Sequence, residues 1–145
     1  MPAPGKYRIG IVGSEAAKFT KETEAIARGL IRQLVQRASL IVSGGCHLGG
    51  VDIWAVDEAV AAGVPFIEYL PRVLSWNGYR ERNLQIVAGS EEVVCITVSR
   101  LPDGYNGLRF DLCYHCSTNT HVKSGGCWTV KQAIRAGKVG KVLVV

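Results

Sequence analysis

The stretch Ala38-Ser39-Leu40-Ile41-Val42-Ser43-Gly44-Gly45 places an apolar run directly before a Ser-Gly-Gly turn, and Gly50-Val51-Asp52 then opens a segment with helical spacing. The tripeptide returns at Ser124-Gly125-Gly126, again before a segment of helical pattern. Glycine lets the backbone turn sharply and lets a ligand approach closely. The first amides of a helix lack internal partners and attract phosphate. The two turns therefore predict a site for an anionic, nucleotide-like ligand.

Apolar, strand-like segments alternate with helical ones along the chain. The pattern predicts strands at 7–12, 40–42, 65–70, 93–98 and 142–145, helices at 20–37, 51–62, 79–88 and 129–136, and loops at 71–78 and 100–123. This alternation predicts a parallel sheet covered on both faces, with its strand-to-helix turns at one edge. We expect a single α/β domain over 1–145, a three-layer Rossmann-like fold with a mostly parallel sheet and a Cys/His-rich loop inserted at 99–123. The ligand is expected at the carboxyl ends of the strands.

Size, charge and cysteine count narrow the function classes. A chain of 145 residues suits one domain, and its net charge of +5 permits nucleotide or nucleic-acid partners without demonstrating them. No apolar run is long enough to span a bilayer, and the first residues lack the pattern of a secretory signal, so we expect a cytoplasmic location and no membrane partner. Five cysteines is an odd number, which argues against a disulfide framework and favours metal binding or burial.

Four segments in order resemble the Rossmann-like core shared by the DNA-processing protein A (DprA) family and the Lonely Guy (LOG) family, members of the SLOG superfamily. They are Val12-Gly13-Ser14, then Ser43-Gly44-Gly45 with Gly50-Val51-Asp52, then Tyr79-Arg80-Glu81-Arg82-Asn83 with Ile86-Val87-Ala88, and finally Ser124-Gly125-Gly126 with Thr129, Ala133 and Gly137-Lys138. Together they cover most of the chain outside 99–123. The resemblance implies a nucleotide or nucleic-acid phosphate site at the glycine turns. It also implies a homodimer, since related LOG-like proteins are commonly dimers.

The resemblance does not fix a reaction. The LOG-type phosphoribohydrolases use an Arg and a Glu, and Gln132 stands where that Glu would be, three residues after the Thr of the closing turn. A neutral amide cannot act as a general base or stabilise a developing oxocarbenium charge as a carboxylate does. Our first hypothesis is therefore a protein that binds a nucleotide or another phosphate-bearing ligand, with catalysis not established.

Two alternatives remain. One is a phosphoribohydrolase that cleaves nucleoside 5'-monophosphates and replaces the missing Glu with another carboxylate. The candidates for that carboxylate are Asp52, Asp57, Glu58 and Glu81. The other alternative is single-stranded DNA or RNA binding by the basic surface, with bases stacking on Trp128 or Trp76.

The candidate ligand-binding residues come from the glycine turns and from the third predicted helix. They are Gly13, Ser14, Ser43, Gly44, Gly45, Gly50, Asp52, Arg80, Arg82, Asn83, Ser124, Gly125, Gly126, Trp128 and Thr129. Asp52 is either a first-turn acid favoured by the helix dipole or an acceptor for a ribose hydroxyl. Arg80 and Arg82 gain nothing from the dipole at a helix start, which suggests a phosphate contact, although only one of them is expected to face the ligand. The glycines could instead serve only the fold.

A possible metal site lies in and just after the inserted loop. The spacing Cys113-x2-Cys116-x4-His121-x5-Cys127 is close to that of a zinc knuckle and offers three thiolates and an imidazole, a set that satisfies tetrahedral zinc. An ion would supply ordering energy that a segment without apolar periodicity lacks. His115 is an alternative ligand. The sequence thus predicts structural zinc, and a loop with free thiols is the alternative.

Overall fold

The computed structural model describes residues 7–110 and 112–145. Within these residues, five strands, four α-helices and one 3-10 turn follow one another. They are β1 (Arg8–Gly13), the 3-10 turn (Ala16–Lys18), α1 (Lys21–Gln36), β2 (Leu40–Ser43), α2 (Val51–Ala62), β3 (Phe66–Glu68), α3 (Trp76–Ala88), β4 (Glu92–Thr97), α4 (Gly125–Arg135) and β5 (Val139–Val144). The expected α/β alternation is confirmed.

The strands form one sheet in the order β3-β2-β1-β4-β5, and every pair in it is parallel. The chain first builds outward from β1 to β3 and then crosses to β4 on the other side of β1. The order reverses between β1 and β4, and such a reversal opens a crevice at the carboxyl ends of the two strands, where α/β sheets bind ligands. The topology of the sheet therefore predicts a ligand-binding site at the end of β1, near Gly13.

Helices cover both faces of the sheet, which confirms the three-layer architecture. Alternate residues along β1 enter opposite cores: Ile11 packs with α1 and α2, whereas Val12 packs with α3 and α4. β4 is buried along its whole length, as expected for a strand inside a doubly covered sheet. Trp54 packs edge-on against Phe19 in the core between the sheet and helices α1 and α2.

Three element boundaries differ from the sequence prediction. β3 is only Phe66–Glu68, shorter than the predicted 65–70. α3 begins at Trp76 inside the predicted 71–78 loop, because the turn-like residues there close a first helical turn in which the Tyr79 amide donates to the Ser75 carbonyl at 2.9 Å. β5 begins at Val139 rather than at 142, and Gly140 interrupts its apolar pattern because α4 packs closely there.

The fourth helix also begins earlier than predicted. α4 starts at Gly125 rather than at Thr129, so the second Ser-Gly-Gly segment is the cap and first turn of the helix itself. The Ser124 hydroxyl accepts a hydrogen bond from the Gly126 amide at 3.1 Å, which is the capping interaction that offsets two glycines in a first turn. The residues between β4 and α4 match the predicted inserted loop, in which one isolated bridge joins Cys113 and Thr118.

Candidate functional site

The carboxyl ends of β1 and β4 form the floor of the site. Ser14 follows β1, and its hydroxyl lies 2.8 Å from the hydroxyl of Thr97 at the end of β4. The Ser14 amide also donates to the Ile96 carbonyl at 3.1 Å. Gly13 has no room for a side chain, because a Cβ there would collide with the Ile96 carbonyl and with Val51. Gly13 and Ser14 thus join the two strands on either side of the sheet reversal.

A cleft of about 320 Å³ lies above this floor. Its walls come from the turns after β1 and β2, from α3, and from the start of α4. The lining residues are Val12, Gly13, Ser14, Glu15, Lys18, Cys46, His47, Leu48, Asp52, Trp76, Tyr79, Arg82, Asn83, Lys123, Ser124, Gly125 and Gly126. The cleft therefore contains three basic side chains and two acidic ones, and two of the three predicted glycine turns, Gly13-Ser14 and Ser124-Gly125-Gly126, line it directly.

The first Ser-Gly-Gly segment is packed against its own neighbours. The Ser43 hydroxyl donates to the Asp52 carbonyl at 2.8 Å, and the Gly44 carbonyl accepts from Nη1 of Arg82 at 2.6 Å. A Cβ on Gly44 would collide with that guanidinium, and one on Gly45 would lie 2.6 Å from Leu70. This segment fixes the position of Asp52 and is not itself open to the cleft.

The two arginines of α3 lie in different environments. Arg82 is buried in the cleft wall, where its Nε donates to Oδ1 of the neighbouring Asn83 at 2.7 Å. Arg80 is exposed and lies outside the cleft lining. One arginine faces the cleft and the other does not, as the two-residue spacing required.

Asp52 is a buried carboxylate that lines the cleft from the first turn of α2. Its Oδ1 has no hydrogen-bond partner, the one such buried side-chain atom within residues 7–110 and 112–145. Burial raises the pKa of Asp52 from 3.8 to about 6, although the nearby Arg82 acts in the opposite direction. An unpartnered buried acceptor costs about 1–3 kcal/mol, so this oxygen is well suited to a donor supplied by a ligand.

The space beside the second Ser-Gly-Gly segment is open at Gly125, whereas side chains occupy the space beside Gly44 and Gly45 in the first segment. A Cβ added at Gly125 would meet no atom within 4 Å, and this residue is exposed at the start of α4. Gly126 is tight, because its Cβ would lie 2.8 Å from the Cys95 sulfur. Helix α4 therefore presents its positive end to the cleft beside open space.

Two lysines in the cleft were not among the sequence candidates. Lys18 comes from the 3-10 turn after β1, and its ammonium donates to the Lys123 carbonyl at 3.2 Å. Burial lowers the pKa of Lys18. Lys123 directly precedes the Ser124 cap, and its ammonium lies 5.4 Å from the rings of both Phe110 and Tyr114. The position of Lys123 beside the second Ser-Gly-Gly segment was the signal that could have identified it.

The structure thus brings only some of the predicted ligand residues into the cleft. Those that line it are Gly13, Ser14, Asp52, Arg82, Asn83, Ser124, Gly125 and Gly126. Those outside its lining are Ser43, Gly44, Gly45, Gly50, Arg80, Trp128 and Thr129. Gly50 adopts φ +87° and caps α2, with the Val51 amide donating to the Ser14 carbonyl at 3.2 Å. Thr129 is buried, and its hydroxyl donates to the Gly125 carbonyl at 3.4 Å.

Two tryptophans meet at the rim. Trp76 is half exposed and lines the cleft from the start of α3, whereas Trp128 is partly buried on α4. Their rings are edge-on at 5.2 Å. Trp76 is therefore the tryptophan that is both exposed and at the cleft, and Trp128 packs against it.

Of the four carboxylates proposed for a hydrolase, Asp52 alone lines this cleft. Asp57 and Glu58 pair with Arg28 on the outer side of α1 and α2, at 3.6 and 3.2 Å. Glu81 pairs with Arg72 at 3.2 Å and is also outside the cleft lining. Of the proposed carboxylates, Asp52 is therefore the one placed for a hydrolytic use of this cleft.

The predicted metal ligands come together. Atoms of Cys113, Cys116, His121 and Cys127 lie within 4.8 Å of one another, and the set could hold a metal ion. The Cys127 sulfur is 3.6 Å from Nε2 of His121, and the other ring nitrogen of His121 lies 3.2 Å from the Thr120 hydroxyl. Such a contact to the second nitrogen orients an imidazole toward a metal.

The alternative ligand His115 lies outside this cluster. Its ring packs on Tyr114 with centroids 4.5 Å apart. Burial raises the pKa of Cys116 to about 12, with further contributions from the neighbouring thiols. Thiols crowded in this way ionise when a cation binds them, which makes three cysteines and a histidine a coherent donor set. Cys95 is fully buried in β4.

Within the part of the chain that the structure describes, no helix has both the length and the apolar character needed to cross a bilayer. All five cysteines are free thiols.

Known proteins show the same fold at low sequence identity. The sequence matches no protein-family model and no curated protein. The molybdenum cofactor carrier protein from Chlamydomonas reinhardtii superposes with a TM-score of 0.60 at 21% identity, over 96% of this chain and 76% of that one. DprA from Streptococcus pneumoniae superposes with a TM-score of 0.52 at 15% identity, over 97% of this chain and 58% of that one.

DprA from Helicobacter pylori, a protein with a single-stranded DNA binding mode, superposes with a TM-score of 0.51 at 16% identity, over 93% of this chain and 74% of that one. These likenesses confirm the Rossmann-like fold expected from the resemblance to DprA. At such identities they establish the fold alone, so the ligand has to be argued from the cleft.

Proposed function

We propose that this protein binds a nucleotide or a related phosphate-bearing ligand in the cleft at the carboxyl ends of β1 and β4. The observation that carries the proposal is the unpartnered Oδ1 of Asp52, buried in the same cleft that receives the start of α4. A ligand with a hydroxyl or amino donor at one end and an anion at the other would satisfy both features.

The anion would bind at the second Ser-Gly-Gly segment. The open face of Gly125 admits it, the end of the α4 dipole attracts it, and the ammonium groups of Lys18 and Lys123 neutralise it. Phosphate is the anion that best fits a helix N-terminus flanked by lysines.

The donor end of the ligand would bind at Asp52. Its Oδ1 accepts from a sugar hydroxyl or a ring N–H, which removes the cost of the unpartnered oxygen. Arg82 and Asn83 hold this end of the cleft in shape through their mutual hydrogen bond and the Arg82 bond to Gly44. Trp76 supplies an exposed ring at the rim for a planar base.

A thermal-shift series tests this proposal. We expect AMP to raise the melting temperature of the wild-type protein and adenosine, which lacks the phosphate, to raise it much less. The molybdenum cofactor belongs in the same series, because the structurally similar C. reinhardtii protein is its carrier. Absence of stabilisation by any phosphate-bearing compound would contradict the proposal.

Single-stranded DNA is a further ligand to test, because the H. pylori protein binds it on the same fold. Affinity for an oligonucleotide that falls steeply with salt would favour backbone phosphate contacts. If the protein binds AMP and shows no salt-dependent binding of the oligonucleotide, a nucleotide-sized ligand is favoured over single-stranded DNA.

Hydrolysis is the second candidate function, and one observation favours it. A carboxyl whose pKa is about 6 can hold a proton near neutral pH and deliver it to a leaving base, and Asp52 is in the cleft. The test is release of ribose 5-phosphate from AMP by the wild type and by Asp52→Asn. Release by neither protein would leave binding as the function of the cleft.

We further propose that the cysteine-histidine cluster holds a structural zinc ion. Three thiolates and one imidazole satisfy tetrahedral zinc, and a reducing compartment such as the cytoplasm would keep those thiols available. We expect about one zinc ion per purified chain, lost in Cys116→Ser and retained in His115→Ala. Metal-free protein that folds and resists chelators would overturn the assignment.

A dimer is our remaining proposal for the partners of this chain. The edge strand β3 leaves Phe66 and Ile67 exposed, and Leu70 follows with 63% of its surface accessible. An unpaired edge bearing apolar side chains is suited to a second copy. Light scattering would show a dimer for the wild type and a monomer for Ile67→Lys, whereas a monomeric wild type would refute it.

A further inference from the structure

The cysteine-histidine cluster and the cleft share one short segment of chain. His121 and Cys127 are ligand candidates, and between them lie Lys123 and Ser124-Gly125-Gly126, all of which line the cleft. The His121 ring and the Cys127 sulfur lie only 3.6 Å apart, so the two ends of the intervening segment, 122–126, meet at the cluster. A metal ion there would close this segment into a small ring.

We propose that metal occupancy of the cluster controls the affinity of the cleft for phosphate. The inference rests on the proposed phosphate site and goes beyond it, because it assigns the metal a role in binding as well as in folding. The metal touches no atom of the ligand in this proposal. It acts by holding Lys123 and the first turn of α4 in the geometry that receives the anion.

The segment has other anchors, and these limit the size of the effect. The Val122 amide donates to the Val98 carbonyl at 2.8 Å, and the Val122 carbonyl accepts from the Thr97 hydroxyl at 3.0 Å. These bonds tie the beginning of the segment to β4. Cys127 is fully buried in the core between the sheet and helices α3 and α4, and this burial anchors the other end of the segment. Loss of the ion would therefore loosen the segment without releasing it.

The remaining part of the inserted loop depends more strongly on the cluster. Residues 99–110 and 112–123 contain no helix and no strand, and within them one isolated β-bridge joins Cys113 and Thr118. The ion would tie Cys113 and Cys116 of that loop to α4. Without it, Phe110 and Tyr114, which contact the Lys123 ammonium, lose their support. Lys123 would then sample more positions, and binding a phosphate would carry the entropic cost of ordering it.

Ligand-dependent ordering of this kind is reciprocal. If zinc raises the affinity for phosphate by a given factor, phosphate must raise the affinity for zinc by the same factor. Couplings between two sites are commonly five- to 150-fold. Because the anchors at Val122 and Cys127 limit the loosening of the segment, we expect a factor near the lower end of that range, about tenfold.

Calorimetry with AMP as the probe tests the inference. The wild-type protein is loaded with zinc and dialysed, and a second sample is stripped with a chelator and dialysed in the same buffer. We expect about tenfold weaker AMP binding by the stripped protein and full recovery after zinc is returned. Cys116→Ser, whose sulfur lies outside the cleft lining, should bind AMP like the stripped wild type, and His115→Ala should bind like the loaded one.

The outcomes separate this inference from the proposed function. Equal affinities in the loaded and stripped protein, with circular dichroism showing both folded, would overturn the coupling and leave the phosphate site standing. Absence of AMP binding in the loaded protein would contradict the phosphate site and the coupling together. If the Cys116→Ser protein fails to fold, the comparison of stripped and reloaded wild type decides. If the stripped protein itself unfolds, the metal acts on global stability and the coupling as stated is wrong.

Discussion

The two Ser-Gly-Gly segments have the same sequence and opposite surroundings. Ser43-Gly44-Gly45 leads into a connection that reaches its helix only at Val51, and its glycines are covered by Arg82, Glu68 and Leu70. Ser124-Gly125-Gly126 begins its helix at once, and the space beside Gly125 is open. The distance from the tripeptide to the helix therefore decides its role. The first copy supports the cleft, and the second places the amide end of a helix beside open space in the cleft.

The largest expected effect concerns Arg82, whose guanidinium packs against Gly44 of the first Ser-Gly-Gly segment. Arg82→Ala removes hydrogen bonds to the Gly44 carbonyl and to Asn83, and charged hydrogen bonds of this kind contribute about 1.5–3 kcal/mol each. We expect the free energy of unfolding in urea to fall by about 3 kcal/mol. The exposed Arg80 is the matched control, and Arg80→Ala should change stability by less than about 0.5 kcal/mol. Similar losses from the two variants would show that Arg82 does not support the first copy.

The glycines themselves provide the next comparison. Gly44→Ala places a methyl group against the Arg82 guanidinium and should cost about 1–3 kcal/mol of stability. Gly125→Ala enters open space at the first position of α4 and should stay within about 0.5 kcal/mol of the wild type. Equilibrium denaturation of the two single variants measures both effects. If Gly125→Ala were destabilised and Gly44→Ala were not, the space beside Gly125 would be the occupied one and the space beside Gly44 the open one, contrary to our assignment.

Asp52, which follows the first copy, should limit stability at neutral pH. Because burial raises the pKa of Asp52 to about 6, its contribution to folding is favourable at low pH and is lost as the pH rises through that value. Asp52→Asn removes this loss and should raise stability by about 1–3 kcal/mol at pH 7.5, with no gain below pH 3.8. The same variant should weaken AMP binding. Denaturation curves across this pH range, and a calorimetric titration, check the two parts.

Glu92 is the control for that prediction. It is a second buried carboxylate, at the opposite end of the sheet, where it accepts hydrogen bonds from Arg37 at 2.7 Å and from the Tyr7 hydroxyl at 2.6 Å. The Arg37 hydrogen bond lowers the pKa of Glu92, so Glu92→Gln should destabilise the protein at pH 7.5. If Asp52→Asn lost stability as Glu92→Gln does, the Asp52 carboxylate would have a stabilising hydrogen-bond partner in the folded protein. It would then not be free to accept a hydrogen bond from a ligand.

The smallest expected effect concerns a lysine beside the second copy. Lys123→Ala removes one cationic side chain from the cleft lining and should weaken AMP binding about tenfold, equivalent to about 1.4 kcal/mol. Lys21, exposed at the start of α1, is the matched control, and Lys21→Ala should bind AMP like the wild type. Isothermal titration measures both, and equal affinities for the two variants would remove Lys123 from the site.

The sequence predicted the architecture well, because local patterns determine most of it. Alternating apolar strands and helices, together with three glycine turns and one Arg-Asn segment in order, were enough to predict the sheet and the edge that holds the cleft. The cysteine spacing likewise predicted the cluster. The position of Cys127 in the first turn of α4 brings its sulfur to the other three ligand candidates.

The interior of the cleft was harder to predict, since it depends on which groups satisfy one another. No local pattern shows that Arg82 covers Gly44, or that Lys18, from the turn after β1, reaches the Lys123 carbonyl. The sequence prediction also missed the first turn of α4. Glycine has a low helix propensity, so Gly125-Gly126 does not indicate a helix, and the start of α4 depends on the cap from Ser124. Such contacts arise from residues far apart in sequence, and only the assembled fold shows them.

The central claim, that the second Ser-Gly-Gly segment holds the phosphate, is tested most directly by a titration of AMP into Gly125→Asp. The new carboxylate enters open space, so the fold should persist while the anion is repelled from the start of α4. Gly29→Asp, in open space on α1, is the matched control for the same substitution. We predict that the wild type and Gly29→Asp bind AMP and that folded Gly125→Asp does not. Equal AMP affinity in all three proteins would contradict the account.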